Sequence, residues 1–307
     1  MGLGSVSEFC YNLTESYLSI KNNTEIISET QNAIRLTRRY LLEDIFTLWN
    51  PLNSEISFSY NGGKDCQVLL LIYLGCLWEF FQMHTRASQF DAKYHQFPSE
   101  RLPAVFIDQD EIFPTLEQFV TDTVDRYFLS LYESLRDGGK SADMSEAFRQ
   151  FLKMNPETKG IVIGIRHTDP FAQNLLPIQR TDPDWPDFMR LQPLLHWKLA
   201  NIWSFLLYSG EPTCGLYKLG FTSIGNINET NPNPYLKATE HTVDDCKFQW
   251  EIENAYNKSC SSISCSALHG DDIERAQKLD DDYFPGWFLT DDSLERAGRI
   301  KRKPPNN

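Results

Sequence analysis

The chain has 307 residues, enough for one large domain or two modest ones. Apolar residues make up 41%, charged residues 23% and aromatics 13%, a globular composition with material for a substantial core. Lys and Arg number 29 against 42 Asp and Glu, a net charge of −13. That argues against nonspecific nucleic-acid binding, yet leaves room for a local basic pocket for a phosphorylated ligand.

The N-terminus, MGLGSVSEF, has neither the basic flank nor the apolar stretch of a signal peptide, and Val6 breaks the myristoylation pattern. Residues 1–50 read as helical, with Ile34, Leu41, Ile45 and Leu48 at helical spacing and Arg35, Arg38 and Arg39 on the other face. Ile56 to Tyr60 has strand character, Asn61 to Asp65 is a glycine turn, and Val68 to Phe81 is apolar enough to be a buried helix. The longest apolar run, Val68 to Trp78, is eleven residues, short of a membrane span. Strand, glycine turn and helix make the first half of a βαβ unit.

The alternation continues through a strand at 103–108, a helix at 113–127 entered at Pro114, and a short strand at 129–133. A helix over 141–154 follows, with Phe148, Phe151 and Leu152 on its apolar side. Gly160 to Ile165 is an all-apolar strand, the pattern of a sheet covered on both faces. A last strand over 188–195 and a helix around 202–208 ending at Gly210 complete the α/β pattern. The expected architecture is a doubly wound, mainly parallel sheet over 51–225, preceded by a helical segment, 1–50, and followed by an extension, 226–307. In that extension 258–270 reads as a surface loop, Asp280–Asp282 as a solvated acidic run, and Leu294 to Arg299 as a short helix. Seven cysteines, an odd number without CxxC spacing, read as reduced thiols of a cytoplasmic protein and argue against structural zinc.

In doubly wound folds ligands bind where strand carboxyl ends meet the loops. Four segments fall there: Ser59 to Asp65, Ile107-Asp108, Ile165 to Asp169, and Arg180 to Trp185. The first, SYNGGKD, is neither GxxxxGK[ST] nor GxGxxG. It still offers what an anion needs: two glycines for close backbone approach, a helix N-terminus, and Lys64 as a point charge. A glycine pair before a helix is also a common tight turn, so spacing alone leaves both readings open.

Residues 59–66, Ser-Tyr-Asn-Gly-Gly-Lys-Asp-Cys, resemble the PP-loop of the ATP pyrophosphatase and adenosine-phosphosulfate reductase superfamily. Within it the chain is most similar to the eukaryotic FAD synthases (FMN adenylyltransferases) of fungal type. The stretches FSYNGGKDCQVLLL, VFIDQDEIFPTLEQF, GIRHTDP, RTDPDWPDFMRLQPLLHW, CGLYKLGFTSIG and ERAGR carry the likeness over roughly 35–302. Cys66 departs from the superfamily loop, where Ser or Thr is frequent, which questions a hydroxyl role but not the backbone cradle.

The resemblance implies transfer of AMP from ATP to FMN, giving FAD and pyrophosphate with Mg2+, and no nucleic-acid, membrane or obligatory protein partner. It implies that Asn61, Gly62, Gly63 and Lys64 meet the β- and γ-phosphates, flanked by Ser59 and Tyr60, and that Asp65 acts there through magnesium. It puts adenosine at Ile107 and Asp108, and adds Gly164 and Ile165 to the nucleotide contacts. Arg166 would stabilise phosphate charge beside Asp169, which precedes Pro170 and so sits on extended backbone; a salt bridge of Arg166 with Asp169 or Asp182 is the plainer reading. A buried Asp182, Trp185 and Arg190 would meet the flavin, and Arg296 and Arg299, sharing a helix face, the FMN phosphate or the flavin ring by stacking; a solvated C-terminal helix is their bland reading. Asp65 as a helix cap and Trp185 as core are the bland alternatives, and His167 reads as structural.

A sulfonucleotide reductase uses a nucleophilic cysteine in its C-terminal tail, and 297–307 contains none. A tRNA-thiolating PP-loop enzyme calls for a CxxC set and a basic face. A non-catalytic flavin-binding protein would not need Asn61, Lys64, Asp65 and both arginines together. The length leaves no room for a fused hydrolase-type domain.

Overall fold

The computed structural model describes residues 2–21, 24–87, 96–106, 111–134, 144–240, 245–257, 265–278 and 281–300. By packing, the chain forms two compact units, Met1–Asp108 with Asp122–Trp197, and Gln109–Thr121 with Lys198–Asn307. These units cut the chain differently from the three sequence segments, because the N-terminal helices pack with the sheet's first helix and the division falls at 197/198 rather than 225/226.

In the first unit, α1 (Leu3–Leu18) and α2 (Glu25–Arg39) run into a π-helical turn, Tyr40–Ile45, and a short α3 (Phe46–Leu48). The α2 start is capped by Thr24, whose Oγ1 accepts the Ile27 N–H at 3.2 Å. Arg38 is not on a free basic face as its spacing suggests: its guanidinium reaches Glu79 at 2.7 Å and also pairs with Glu15. Then come β1 (Ile56–Ser59), α4 (Lys64–Ala87), β2 (Leu102–Phe106), the end of α5 (Pro114–Arg126, of which Pro114–Thr121 belongs to the second unit), β3 (Leu129–Glu133), α6 (Met144–Met154), β4 (Gly160–Val162), β5 (Ile178–Arg180) and β6 (Met189–Leu191). Strand order is β3-β2-β1-β4-β6-β5, parallel except for the β5–β6 pair.

Ile56 and Phe58 of β1, Ala104 and Val105 of β2, and Ile161 and Val162 of β4 are wholly buried, as expected of central parallel strands. The stretch Lys64–Thr85 of α4 is long and apolar enough to cross a membrane, but 78% of its most apolar window is buried inside the protein, so it serves as the core helix. Gly75 lets α1 approach it closely: a Cβ there would lie 3.2 Å from the Cys10 carbonyl and the Tyr11 backbone. α6 turns Phe148 and Phe151 onto Val105, Ile161 and Phe188.

The chain runs from β1 to β2 on one side and returns to β4 on the other, so β1 and β4 are neighbours whose connections leave in opposite directions. That is a topological switch point, where such sheets leave a crevice beyond the strand ends. The expected strands at 160–165 and 188–195 are shorter, residues 107 and 108 of the one expected at 103–108 lie outside the described residues, and β5 supplies an antiparallel edge the sequence reading lacked.

In the second unit, α7 (Leu199–Ser209) ends at Gly210 in the left-handed conformation (φ 64°), and 3-10 turns, α8 (Gln249–Glu253) and α9 (Gly270–Gln277) follow. Where a loose loop was expected, Cys265 and Ser266 are pinned: Thr213 bridges Cys265, and the Ser266 N–H donates to the Thr213 carbonyl at 2.8 Å. Residues 258–264, and Asp280 of the acidic run, lie outside the described residues.

Candidate active site

The glycine turn joins β1 to α4 at the switch point. Gly62 adopts φ 73°, a conformation that favours glycine. The Asn61 side chain closes the turn: its Oδ1 accepts the Gly63 N–H at 3.0 Å and the Cys66 S–H at 2.9 Å. The Gly63 carbonyl then accepts the Gln67 N–H at 3.0 Å and opens the helical ladder. The result is a bent backbone at a helix N-terminus, the local geometry that favours an anion.

Lys64 and Asp65 begin α4. Lys64 is buried, with 3% of its side chain exposed, and its Nζ lies 3.2 Å from Asp65 Oδ2. Arg166, fully buried, brings Nε to 2.7 Å from Asp65 Oδ1. Burial pushes the Asp65 carboxyl up, but Arg166 and Lys64 outweigh it and hold the group below its ordinary value. Asp65 is thus the hub of two buried cations rather than a simple cap.

Arg166 leaves β4 through Gly164 and Ile165. A Cβ on Gly164 would lie 3.0 Å from the Cys66 backbone, so this glycine lets the β4 exit sit on the first turn of α4. Asp169 faces its own turn: Oδ2 accepts the Arg166 N–H at 2.9 Å and Oδ1 lies 3.8 Å from Nη2. It backs Arg166 rather than projecting into a cleft. The plainer salt-bridge reading of Arg166 therefore holds for Asp169, with Asp65 as its nearer partner and Asp182 not involved. His167 has the structural role expected, its Nδ1 being 2.9 Å from the Ala172 carbonyl.

Tyr60 is buried, its hydroxyl donating to Gln67 at 2.7 Å, so its side chain braces the turn from behind; Ser59 is half-buried. Cys66 offers no reactive thiolate, because burial pushes its thiol up to about 12. Ile107 and Asp108 lie outside the described residues.

The β5–β6 hairpin carries Asp182, Trp185 and Arg190. Asp182 is not buried as expected: 64% of its side chain is exposed, and Arg190 Nη1 lies 3.6 Å from its Oδ2. Trp185 packs on Phe148 at a tilt of 56°, ring centroids 6.1 Å apart, at the margin of the core beside the exposed Asp182.

Arg296 and Arg299 lie in the second unit, and the segment holding them is not a helix. It is a 3-10 turn, Asp292–Leu294, followed by turns that pair with 229–231: Asn231 N–H donates to the Gly298 carbonyl at 2.9 Å and Ile300 N–H to that of Glu229 at 2.9 Å. A Cβ on Gly298 would meet the Asn231 carbonyl at 2.3 Å, so this pairing requires glycine. Arg296 is exposed, while Arg299 is half-buried and donates from Nη1 to Thr230 Oγ1 at 2.6 Å. Burial, then the Arg296 charge, pulls the Arg299 guanidinium below its ordinary value. Sequence reasoning missed Thr230 as a partner, because nothing marks a threonine 69 positions away.

No dedicated metal cage is built: among the described residues no group of three or more His, Cys, Asp or Glu could hold an ion, and both Asp65 oxygens face cations. The arrangement does not fit Asp65 as a free magnesium ligand.

Residues 55–232 match the phosphoadenosine phosphosulfate reductase domain. The flavin adenine dinucleotide synthase of Saccharomyces cerevisiae is 60% identical over 98% of this chain and 100% of its own length. The chain belongs to the FAD synthase family, built on that reductase-type domain. Two solved structures agree. Candida glabrata FMN adenylyltransferase in complex with FAD and inorganic pyrophosphate superposes with TM-score 0.90 at 57% identity, covering 97% of this chain and 100% of that one. The same protein with FMN and the ATP analog AMPCPP gives TM-score 0.87 at 55% identity over 97% and 100%. The FAD synthase fold expected from the motifs, a mainly parallel α/β sheet, is the fold found, with the glycine turn and the Arg166 segment at its switch point.

Proposed function

We propose that this chain is an FMN adenylyltransferase that makes FAD. One FMN phosphate oxygen attacks the α-phosphorus of ATP. A new phosphorus–oxygen bond forms as the α–β bridging bond breaks, and pyrophosphate leaves with the electron pair. Such a transfer asks little covalent chemistry of the protein; positioning and charge neutralisation supply the acceleration. The observation that carries this reading is the convergence of Lys64 and Arg166 on Asp65 at the head of α4, in a chain that matches FAD synthases along its whole length.

In this reading the Asn61–Gly63 backbone and Lys64 take the β- and γ-phosphates, and Arg166, aligned by Asp65 and Asp169, faces the charge that develops on transfer. Asp182, Trp185 and Arg190 take the flavin, the partly exposed indole offering its face. Arg296 and Arg299 take the FMN phosphate. Magnesium enters on the ATP phosphates, as is usual for this ion, since the described residues offer no cage for it. The reaction belongs in the cytoplasm, in keeping with described cysteines that are all thiols.

The test is incubation with FMN, ATP and Mg2+, following the fall in flavin fluorescence as adenine stacks on the ring, with FAD and pyrophosphate counted by chromatography. One FAD per pyrophosphate is expected. Pyrophosphate without FAD, or neither, would overturn the assignment.

A further inference from the structure

Gly225 does not have the left-handed backbone that would demand glycine for conformational reasons. What its missing side chain makes room for is Arg299. A Cβ on Gly225 would lie 1.7 Å from Nη1, 2.2 Å from Nη2 and 2.3 Å from Cζ, so the Nη1–Nη2 end of the guanidinium abuts the bare Cα end-on. From the other side Thr230 holds the same group. Its hydroxyl donates to the Asn226 carbonyl at 2.9 Å, which turns its lone pairs to Arg299 Nη1 at 2.6 Å. The backbones of Thr230 and Arg299 also form an antiparallel bridge. Thr230 therefore uses up one guanidinium donor in a fixed direction. The buried Nε has no protein partner. A guanidinium has five N–H donors in a planar fork; with Nε buried and one Nη1 donor on Thr230, it is the other Nη donors that remain for an anion.

We propose that Gly225 and Thr230 are positioning residues for Arg299, fixing the plane and the direction of its guanidinium so that its remaining donors meet the FMN phosphate. The ligand half of this inference rests on the function proposed above; the seat itself does not. A hydrogen-bonded seat cuts the rotamer freedom the arginine would otherwise lose on binding, the usual way preorganisation strengthens a contact.

The test uses Gly225→Ala, Thr230→Val and Thr230→Ser, each alone and with Arg299→Ala. In the full-length enzyme Gly225→Ala and Thr230→Val are expected to raise the FMN KM roughly fivefold to tenfold, with ATP affinity and Tm little changed. Thr230→Ser, which keeps the hydroxyl, is expected to behave as wild type. In the Arg299→Ala background neither Gly225→Ala nor Thr230→Val should add anything, since both act through the missing group. Wild-type FMN kinetics in Gly225→Ala, or losses that add to that of Arg299→Ala, would overturn the proposal. So would an unfolded Gly225→Ala, because the clashing atoms are the tip of a flexible side chain that can swing away. Failure of the parent reading looks different: the wild type then makes no FAD. The seat is then judged by the 15N–Hε resonance of Arg299, assigned by its loss in Arg299→Ala. It should move in Gly225→Ala and Thr230→Val, and an unmoved resonance would overturn the seat.

Discussion

The two cationic regions of this chain are built on opposite electrostatic plans. At the head of α4, Lys64 and Arg166 are buried and matched by carboxylates, Asp65 between them and Asp169 behind. On the C-terminal segment, Arg299 is half-buried against glycine and a neutral hydroxyl, with Arg296 nearby and exposed. A buried charge needs a counter-charge to exist at all, whereas a partly hydrated one tolerates neutral partners. The first region is thus rigid and locally neutral, suited to aligning a ligand that brings its own cation. The second holds its arginine mainly on neutral partners, with the Glu229 charge nearby, and suits a ligand that arrives as an anion. Substitutions should therefore damage stability in the first region and affinity in the second.

The largest effect belongs to Asp65→Ala. It strips the fully buried Arg166 of its nearest carboxylate and leaves Asp169 at 3.8 Å, a more distant one. Unpairing a buried ion costs about 3–5 kcal/mol, and the surviving partner puts this case near 3. Turnover should also fall roughly 10²-fold, as when one preorganised charge-stabilising group is lost. Chemical denaturation with steady-state rates checks both; an unchanged midpoint would mean that the ion pair is not structural, and the contrast between the regions would collapse.

The pH dependence of stability sharpens the same point. Arg166 and Lys64 hold the Asp65 carboxyl below its ordinary value of 3.8 in the folded protein. The unfolded chain therefore binds the proton first as pH falls. The stabilisation is present in full above about pH 4 and is lost as pH drops through the depressed value. Asp65→Asn should show a flatter acid limb than the wild type below about pH 4 in denaturation midpoints. Parallel limbs would place the acid sensitivity elsewhere.

Arg299→Ala should do the reverse. Stability should move by no more than about 1 kcal/mol, while FMN use weakens on the order of tenfold to a hundredfold, the worth of a charge-assisted contact. Separate titrations of FMN and an ATP analog check it: equal losses would indicate a folding defect, and no loss for either would make Arg299 a purely structural residue.

What the amino-acid order discloses about these regions is uneven for physical reasons. β1, β2 and β4 are legible because a strand covered on both faces must be apolar throughout, and the glycine turn because Gly62 needs φ 73°. β5, Ile178–Arg180, is three residues at an antiparallel edge, too short for any alternation to show. The pairing of Arg166 with Asp65 spans a hundred positions and exists only because β1 and β4 are neighbours in the sheet. The helix expected at 294–299 fails because Gly298 and its neighbours find backbone partners in 229–231, and long-range pairing outweighs a weak local periodicity. Burial of Asp182 follows from reading it as a flavin contact, whereas its place in an exposed turn beside Arg190 is set by the β5–β6 hairpin.

The smallest effect is expected at Cys66, and it tests whether the glycine turn is held by hydrogen bonds alone. The thiol donates to Asn61 Oδ1 at 2.9 Å or to the Gly63 carbonyl at 3.0 Å, and has one hydrogen for both. With its pKa pushed up to about 12 it is a neutral donor throughout the working range. At pH 8 only about one thiol in 10⁴ would be ionised, so modification by iodoacetamide should be slow even before access is counted. Cys66→Ser keeps the donor and is smaller than the thiol it replaces, so activity should stay within about twofold and stability within about 1 kcal/mol. Cys66→Val keeps the bulk and removes the donor, and the Asn61 amide is then held by the Gly63 N–H alone. If the turn's shape is what binds the phosphates, Cys66→Val should raise the ATP KM while leaving the FMN KM in place. A rise in both, or a Cys66→Ser variant as impaired as Cys66→Val, would show that the sulfur's packing rather than its hydrogen holds the turn.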